Sequence, residues 1–175
     1  MWTIGHSTRT LEELVALLRA HGVDTVVDVR TVPRSRRHPH FSKDALAESL
    51  PQAAIAYVHM PGLGGFRKPL ADSPNTGWRV DAFRGYADYM QTDEFARHLD
   101  VLMALAKDTR LSVMCAEAEP WRCHRTLLAD ALVVHDVDVR HIVAGGAIAH
   151  HVITAWAQRR GVRLTYPPVQ RELPF

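Results

Sequence analysis

Residues 111–125 read LSVMCAEAEPWRCHR, an apolar run followed by a dense group of reactive side chains. Residues 111–115 have the length and composition of a buried strand, and Pro120 stands where a helix would begin. From Trp121 onward the apolar spacing is helical, which places His124 on the buried face of the first turn. In open α/β sheets ligands bind beyond the carboxyl ends of the strands, so this junction is predicted to hold the functional site.

The flanking sequence continues the alternation of strand and helix patterns. Thr10 with Glu13 forms a capping box for a helix between an apolar strand at residues 2–5 and a β-branched strand at residues 23–29. Further strands are predicted at residues 54–59, 137–143 and 162–166, and further helices at residues 44–50, from 93 onward and at 144–160. This alternation predicts a single α/β domain over residues 1–175, with a mainly parallel sheet of about five strands flanked by helices.

Residues 60–91 are rich in glycine and proline, which excludes one long helix. Aromatic side chains are spread through the same stretch and argue against disorder: Phe66, Trp78, Phe83, Tyr86 and Tyr89. A loop of this length inside a compact domain usually has a function. Residues 60–91 are therefore predicted to form an ordered loop folded over the site.

Composition and charge limit the class of protein. Hydrophobic residues make up 47% of the chain and the formal net charge is +2, both ordinary values for a globular protein. No apolar run is long enough to span a membrane, and the amino terminus lacks the pattern of a secretory signal. The two cysteines, Cys115 and Cys123, make no disulfide framework. The chain is therefore predicted to be a cytoplasmic protein with reduced thiols and no membrane partner.

Several longer motifs occur in order along the chain: TIGHS, DVRTVPRSRR, LGGFRKP, GWR, FRGYADYM and CAEAEPWRCHR. With these motifs the sequence resembles the widespread prokaryotic family known as domain of unknown function 488. The resemblance runs from residue 2 to about residue 142. It implies an α/β domain and no particular activity, and the tail over residues 143–175 lies outside it.

Three side chains of the central stretch are predicted to carry chemistry: Cys115, Glu117 and His124. Thiols at a helix start beside a histidine or an arginine have lowered pKa values, so Cys115 is predicted to be a nucleophile that reacts ahead of Cys123. The alternative is that Cys115 is a small buried core residue. Glu117, near the strand end, is the predicted general base.

A second group is predicted to bind the substrate: Ser7, Asp28, Arg30, Arg36, Tyr86 and Arg125. Ser7, Asp28 and Arg30 end or follow predicted strands and so belong to the same sheet edge. Arginines after the second strand and along the long loop, with aromatic residues among them, favour a ligand that carries phosphate or carboxylate groups. A purely structural ion pair, of Asp28 with Arg30 or with Arg125, is the alternative for these buried charges.

Three functions are compatible with the sequence. The first is an enzyme of hydrolase or transferase type acting on an anionic, phosphate-bearing or nucleotide-like substrate. The second is a module that binds nucleic acid or a nucleotide without turnover. The third is a metal-binding protein with the ligands Cys115, Glu117, Cys123 and His124. A pure binding module has no need of a thiol, a carboxylate and an imidazole at one sheet edge, which favours the enzyme.

The metal hypothesis has a geometric weakness. Cys123 and His124 are adjacent, and adjacent residues on a helix point about 100° apart, so they cannot easily share one ion. The ligand pairs typical of zinc sites, at C-x2-C or i, i+4 spacing, are also absent from the sequence. The leading prediction is therefore an enzyme without an assigned metal, and the sequence indicates neither a cofactor nor an oligomeric state.

Overall fold

The computed structural model describes residues 1–34 and 36–168, and in these ranges eight strands form two sheets. The strands are β1 (Trp2–Gly5), β2 (Thr25–Asp28), β3 (Ala56–His59), β4 (Leu111–Cys115), β5 (Arg140–Ile142), β6 (Ile148–His150), β7 (Gln158–Arg160) and β8 (Arg163–Thr165). The main sheet has the order β3–β2–β4–β1–β5–β6, and only β6 runs antiparallel to its neighbour. β7 and β8 pair separately. The predicted α/β class is confirmed, with β2 and β4 as neighbouring parallel strands.

In the same ranges, five α-helices flank the main sheet: α1 (Leu11–Ala20), α2 (Lys43–Gln52), α3 (Asp81–Tyr89), α4 (Asp93–Asp108) and α5 (Arg125–Val133). One core contains Leu14 of α1 and Leu46 of α2. A second core contains Tyr86, Leu102 and Leu127, one from each of the other three helices. The sheet therefore lies between two helical layers. None of the helices in the described ranges has both the length and the apolar character needed to cross a membrane.

Local sequence explains where several helices begin. Thr10 Oγ1 accepts a hydrogen bond from the Glu13 amide at 3.2 Å, while the Glu13 carboxylate accepts one from the Thr10 amide at 2.8 Å. The predicted capping box of α1 is thus present. The side chains of Ser42 and Thr92 cap α2 and α4 in the same way, each by accepting from a backbone amide. α2 continues past Pro51, where the sequence pattern predicted its end.

The prediction of one long loop over residues 60–91 is wrong in part, because α3 lies within it. Gly85 in the middle of α3 packs against the chain, and an added Cβ would lie 2.4 Å from the Arg67 carbonyl oxygen. This glycine therefore allows close packing instead of breaking the helix. The segment before α3 is ordered by Asp88, whose carboxylate accepts hydrogen bonds from the Leu70 amide, Ser73 Oγ and Asn75 Nδ2.

The helix predicted over residues 144–160 is wrong. Gly145 and Gly146 have φ values of 69° and 80°, a left-handed conformation that is incompatible with the start of a regular helix. The chain instead forms β6, which pairs with β5, and then the β7–β8 hairpin, which turns at Gly161 with φ of 62°. The main sheet therefore has six strands where about five were predicted. The strand predicted at residues 162–166 is β8, outside the main sheet.

The junction after β4 also differs from the predicted helix. A 3₁₀ turn, Pro120–Arg122, comes first, and Cys123 is then extended with φ of −136° and ψ of 149°. α5 consequently begins at Arg125, immediately after His124. Trp121, in the 3₁₀ turn, is 62% exposed. Cys123 and His124 therefore lie at a bend in the chain.

Candidate functional site

A cleft of about 700 Å³ opens at the carboxyl edge of the main sheet. Its walls come from the segments that follow β1, β2, β3 and β4, and from the start of α3. A second cavity, of about 620 Å³, lies at the amino ends of the strands around Trp2, His21 and Leu111, and contains none of the predicted site residues. The cleft has the position at which open α/β sheets bind their ligands.

The predicted site residues divide into two groups. Ser7, Arg30, Cys115, Glu117 and His124 line the cleft, whereas Asp28, Arg36, Tyr86 and Arg125 do not. Asp28 and Arg125 are buried behind the cleft wall, and Arg36 is exposed outside it. Tyr86 is buried against the His124 ring, with 5.0 Å between the ring centroids. Strand ends and the start of α5 thus do meet in one cleft, and the catalytic and binding roles of these residues stay predictions.

Cys115, Cys123 and His124 form a compact group in the cleft, called here the thiol–imidazole group. Their donor atoms lie within 4.8 Å of one another, and Cys123 Sγ is 3.7 Å from His124 Nδ1. The expectation that Cys123 and His124 diverge is wrong, because Cys123 is extended and only His124 has helical dihedral angles. Sequence reasoning left Cys123 out of the catalytic residues. Pro120, which favours a short turn three residues earlier, is the signal that could have placed it.

The two thiols of this group are unequal. A hydrogen bond to Cys123, together with burial, raises the pKa of Cys115 well above its usual range. The same hydrogen bond lowers the pKa of Cys123 well below its usual range, and the nearby His124 and Arg125 add to this effect. In this arrangement the Cys123 thiol has the lower pKa, and the predicted order in which the two thiols react stays a prediction. The order depends on which sulfur donates, and a sequence pattern does not contain that information.

Arg30 is held by a buried ion pair. Its Nε and Nη2 donate to the two carboxylate oxygens of Asp28 at 2.8 and 2.6 Å, and Tyr57 Oη donates to the same carboxylate at 2.8 Å. Nη2 also donates to the Phe41 carbonyl oxygen at 2.8 Å. Of the two structural pairs considered from the sequence, the pair of Asp28 with Arg30 is the one that forms. Arg30 thus lines the cleft with a charge that Asp28 largely offsets.

His6, which follows β1, is a cleft residue that the predicted site omitted. Its Nδ1 lies 2.9 Å from the Ser7 carbonyl oxygen, and its Nε2 lies 3.0 Å from Arg30 Nη1. A carbonyl oxygen only accepts and a guanidinium only donates, so Nδ1 carries the proton and Nε2 accepts. Burial and the Arg30 charge lower the pKa of His6 to about 4. His6 is therefore neutral at neutral pH and orients Arg30.

Arg125 supports the cleft wall from behind. The residue is 1% exposed, its Nη2 donates to the Glu117 and Ala118 carbonyl oxygens, and its Nη1 donates to Thr3 Oγ1 at 3.3 Å. The same loop crosses the end of β1 at Gly5, where an added Cβ would lie 1.7 Å from the Glu117 carbonyl oxygen. Only glycine permits that approach. Gly5 and Arg125 together fix the backbone position of Glu117.

The outer rim of the cleft carries apolar and basic side chains. Phe66 is 87% exposed and Val80 is 55% exposed, although both line the cleft. Arg34 and Arg122 are exposed on the same lining. Neither arginine forms an ion pair with an acidic residue in the described part of the chain. The rim therefore offers a ligand both flat apolar surface and uncompensated positive charge.

A second polar cluster, called here the buried histidine network, lies outside the cleft. Thr3 Oγ1 is 2.7 Å from His141 Nδ1, and His141 Nε2 is 2.9 Å from His151 Nδ1. His151 Nε2 is 2.7 Å from Asp130 Oδ1, and Tyr166 Oη donates to Asp130 Oδ2 at 2.9 Å. Burial lowers the pKa of His141 to about 3. Sequence reasoning did not identify this network, since its members are scattered over more than 160 positions.

Comparison with known proteins identifies a family but no activity. No curated protein and no solved structure matches the chain. A family model described as "Domain of unknown function DUF488" matches residues 10–132, a narrower range than the 2–142 over which the motifs resemble the family. The matched range contains the thiol–imidazole group and ends before His141 and His151. The chain belongs to this family, the domain of unknown function DUF488.

Proposed function

We propose that the chain is an enzyme of hydrolase or transferase type that acts on an anionic, phosphate-bearing or nucleotide-like substrate in the cleft at the carboxyl edge. The observation that carries this proposal is the presence of two thiols, a carboxylate and an imidazole in a single cleft whose rim includes Arg34 and Arg122. Groups that make and break bonds and groups that hold an anion are then within reach of one bound molecule.

The rim suits an anion that has a flat apolar part. Arg34 and Arg122 present planar guanidinium groups, which bind phosphate oxygens through paired hydrogen bonds. Arg30 contributes less to anion binding, since Asp28 already accepts from two of its nitrogens. Phe66 and Phe83 line the same cleft and offer faces on which a nucleobase can stack.

The reacting groups belong to the segment that follows β4. Glu117 is exposed on the cleft wall, and no described residue pairs with its carboxylate, so it is available as the general base. His6 is not available for this role, because its Nε2 already accepts from Arg30. The thiol–imidazole group lies in the same segment. Its two free thiols also favour a reducing, cytoplasmic location for the protein.

Binding is tested by calorimetry with AMP as the probe and adenosine as its uncharged counterpart. AMP is expected to bind with a millimolar or lower Kd, at least about tenfold more tightly than adenosine, and the difference should shrink as salt is raised. The double variant Arg34→Ala with Arg122→Ala should abolish the difference. Arg97→Ala with Arg160→Ala removes the same charge from exposed positions outside the cleft and should preserve it. Equal affinity of the unmodified protein for both compounds would contradict the proposal.

Turnover separates the enzyme from the binding module. Nucleoside phosphates are incubated with the protein, and products are identified by mass spectrometry. Glu117→Gln is expected to lower the rate about 100-fold or more while AMP binding is retained, because the variant removes the base at constant size. Glu119→Gln, in the same loop but outside the cleft lining, is the matched control. Charge-dependent binding without turnover would assign the cleft to a nucleotide- or nucleic-acid-binding module.

A further inference from the structure

We infer that Cys115, Cys123 and His124 bind a single zinc ion, with one coordination position left open toward the cleft. This goes beyond the proposed enzyme function, because it gives the chain a metal centre whatever substrate the cleft binds. Three observations support it: the positions of the three donor atoms, the few hydrogen bonds that the protein makes to them, and the number of protein ligands.

Distinct backbone features bring the donors together. Cys115 is the last residue of β4, Cys123 is the extended residue after the 3₁₀ turn, and His124 directly precedes α5. The loop between the two cysteines is anchored by Arg125, which donates to the carbonyl oxygens of Glu117 and Ala118. A strand end, a helix start and an anchored loop therefore hold the three donors in a preorganised arrangement.

The spacing of the donors fits a tetrahedral ion. With zinc–sulfur bonds of about 2.3 Å and zinc–nitrogen bonds of about 2.0 Å, ligand atoms of a tetrahedral site lie about 3.5–3.8 Å apart. Cys123 Sγ and His124 Nδ1 are 3.7 Å apart, and all three donors lie within 4.8 Å of one another. Small side-chain rotations therefore suffice to place them around one ion. Two thiolates with one imidazole form a soft donor set of the kind that selects zinc over magnesium or calcium.

The protein itself leaves this group poorly satisfied. His124 Nε2 is buried and has no hydrogen-bond partner in the part of the chain that the structure describes. Cys115 and Cys123 are only 7% and 4% exposed, and both are free thiols. Cys123 Sγ meets His124 Nδ1 at 3.7 Å and the two thiols share one hydrogen bond, so an ion bound to these three atoms would replace weak sulfur contacts with coordinate bonds, while Nε2 keeps the ring proton.

The number of ligands points to an ion that meets the substrate. Within residues 1–34 and 36–168, no carboxylate joins the three donors, and Glu117 lines the cleft outside the group. Structural zinc ions usually have four protein ligands, whereas zinc ions that act on substrates usually have three and an open position. Because all three ligands line the cleft, that position is accessible to a water molecule or a substrate oxygen. The four-ligand set that the sequence suggested, with Glu117 included, is thus reduced to three.

Metal content tests the inference on the intact chain without an affinity tag. Protein kept reduced and dialysed against micromolar zinc is expected to retain one zinc ion per chain, measured by atomic emission. After removal of the zinc with a chelator, Co²⁺ serves as a spectroscopic probe of the same site. Tetrahedral coordination should give intense visible bands together with thiolate-to-cobalt charge transfer.

Ligand variants locate the ion. Cys115→Ser and Cys123→Ser are each expected to weaken zinc binding more than about 100-fold, since changes outside the first coordination shell already cost roughly 10–100-fold. His124→Ala should weaken zinc binding similarly. Because His124 is only half-buried, this variant should keep its fold, which circular dichroism checks. His150→Gln, at a position that is 67% exposed and outside the cleft, is the matched control and should bind zinc normally. Glu117→Gln should also retain one zinc ion.

Three results would overturn the inference. The first is a folded, reduced protein that retains far less than one zinc ion per chain. The second is zinc affinity that is unchanged in folded His124→Ala, which would place the ion elsewhere. The third is ready formation of a Cys115–Cys123 disulfide together with failure to bind Co²⁺, which would make the two cysteines a redox pair. AMP binding is measured independently in metal-free protein, so failure of the zinc site and failure of the proposed substrate class give different results.

Discussion

The thiol–imidazole group and the buried histidine network contain similar chemistry, but they differ in how fully their polar atoms are satisfied. In the network, Thr3, His141, His151 and Asp130 follow one another at hydrogen-bond distance. In the thiol–imidazole group, His124 Nε2 has no partner among the described residues. A fully satisfied buried network stabilises a fold, whereas a cluster with unsatisfied donors at a cleft is suited to binding something else. The two clusters therefore differ in their polar satisfaction, and this difference supports the proposed role of the thiol–imidazole group.

With both histidine rings neutral, the network has one consistent direction of hydrogen bonding. The Asp130 carboxylate can only accept, so His151 donates to it from Nε2 and its Nδ1 accepts from His141 Nε2. His141 Nδ1 then accepts from the Thr3 hydroxyl, which itself accepts from Arg125. Each neutral ring then carries one proton and uses both nitrogens. Because these hydrogen bonds are all made, substitutions in the network should cause large losses of stability and substitutions in the cleft small ones.

The largest effect is expected for Asp130→Ala. The carboxylate accepts from His151 Nε2, the Thr154 amide and Tyr166 Oη, and all three donors would lose their partner in the interior. We expect the free energy of unfolding to fall by about 3–5 kcal/mol in urea denaturation. Asp138→Ala, which removes an exposed ion-pair partner, should change it by less than about 1 kcal/mol. Similar losses of unfolding free energy in the two variants would show that the buried histidine network stabilises the fold no more than an exposed ion pair does.

The pH dependence of stability should also originate in the network. The pKa of His141 is about 3 in the folded protein and near 6.5 in the unfolded chain. The unfolded state therefore takes up a proton below about pH 6.5 that the folded state takes up only near pH 3, so stability is complete above pH 6.5 and falls as the pH decreases. The contribution amounts to about 2.5 kcal/mol between pH 6 and pH 4. The groups around this ring, His151, Asp130 and Arg125, stay unchanged in the test variant.

That variant is His141→Gln, whose amide can still accept from Thr3 and donate to His151. Its unfolding free energy, measured in urea at pH 6 and at pH 4, should differ less between the two pH values than that of the unmodified protein. Titration of His6 and of surface acids is common to both proteins and cancels in the comparison. An equally steep loss of stability in both would show that His141 does not carry the effect.

A smaller effect is expected for His124→Ala in metal-free protein. The ring is half-buried against Tyr86 and Gly65. Its Nε2 makes no hydrogen bond within the described structure, so the variant loses none at that atom. The free energy of unfolding should therefore fall by only about 1 kcal/mol. A loss as large as that of Asp130→Ala would mean that the cleft group is also structural. Urea denaturation of both variants under the same conditions makes the comparison direct.

The smallest effect on stability is expected for Phe66→Ala. This side chain is 87% exposed on the rim, so its removal should change the free energy of unfolding by less than about 0.5 kcal/mol. AMP binding should nevertheless weaken about tenfold, because stacking on an aromatic ring contributes roughly 1–3 kcal/mol per base. Leu70→Ala, at an exposed position outside the cleft lining, is the control. Unchanged AMP affinity in Phe66→Ala would limit the ligand site to the inner wall.

Local patterns were sufficient for most of the fold. The apolar run at Leu111–Cys115 and the Thr10–Glu13 capping box each determine their element through neighbours a few residues away. Local patterns predicted the wrong element at two glycines: a loop at Gly85, where a helix forms, and a helix at Gly146, where no α-helix forms. Gly85 lies inside α3, where its missing side chain leaves room for the Arg67 backbone. Gly146 has a positive φ and precedes a strand. Their roles depend on tertiary contacts, which the local pattern does not include.

The sequence predicts a site at the carboxyl edge of the sheet, where the structure has a cleft, but the positions of several side chains could not be predicted from sequence. Arg125 was expected in the cleft, yet it is turned toward Thr3 and the loop carbonyl oxygens. Cys123 and His124 were expected not to share one metal ion easily, on the assumption of a regular helix. One extended residue, Cys123, removes that objection. The position of a residue along the chain predicts at which edge of the sheet it lies. The backbone dihedral angles of individual residues then determine which groups its side chain can contact.

The place of β1 in the sheet has a consequence for the synthesis of the protein. Of the eight described strands β1 is synthesised first, but it pairs with β4 and β5, which begin at residues 111 and 140. At translation rates of about 5–20 residues per second, its first partner follows roughly 5–20 s later. β2 and β3 are complete long before then and can already pair with each other. The cleft at the carboxyl edge, whose wall includes residues that follow β1 and β4, is therefore assembled only after β4 has been synthesised.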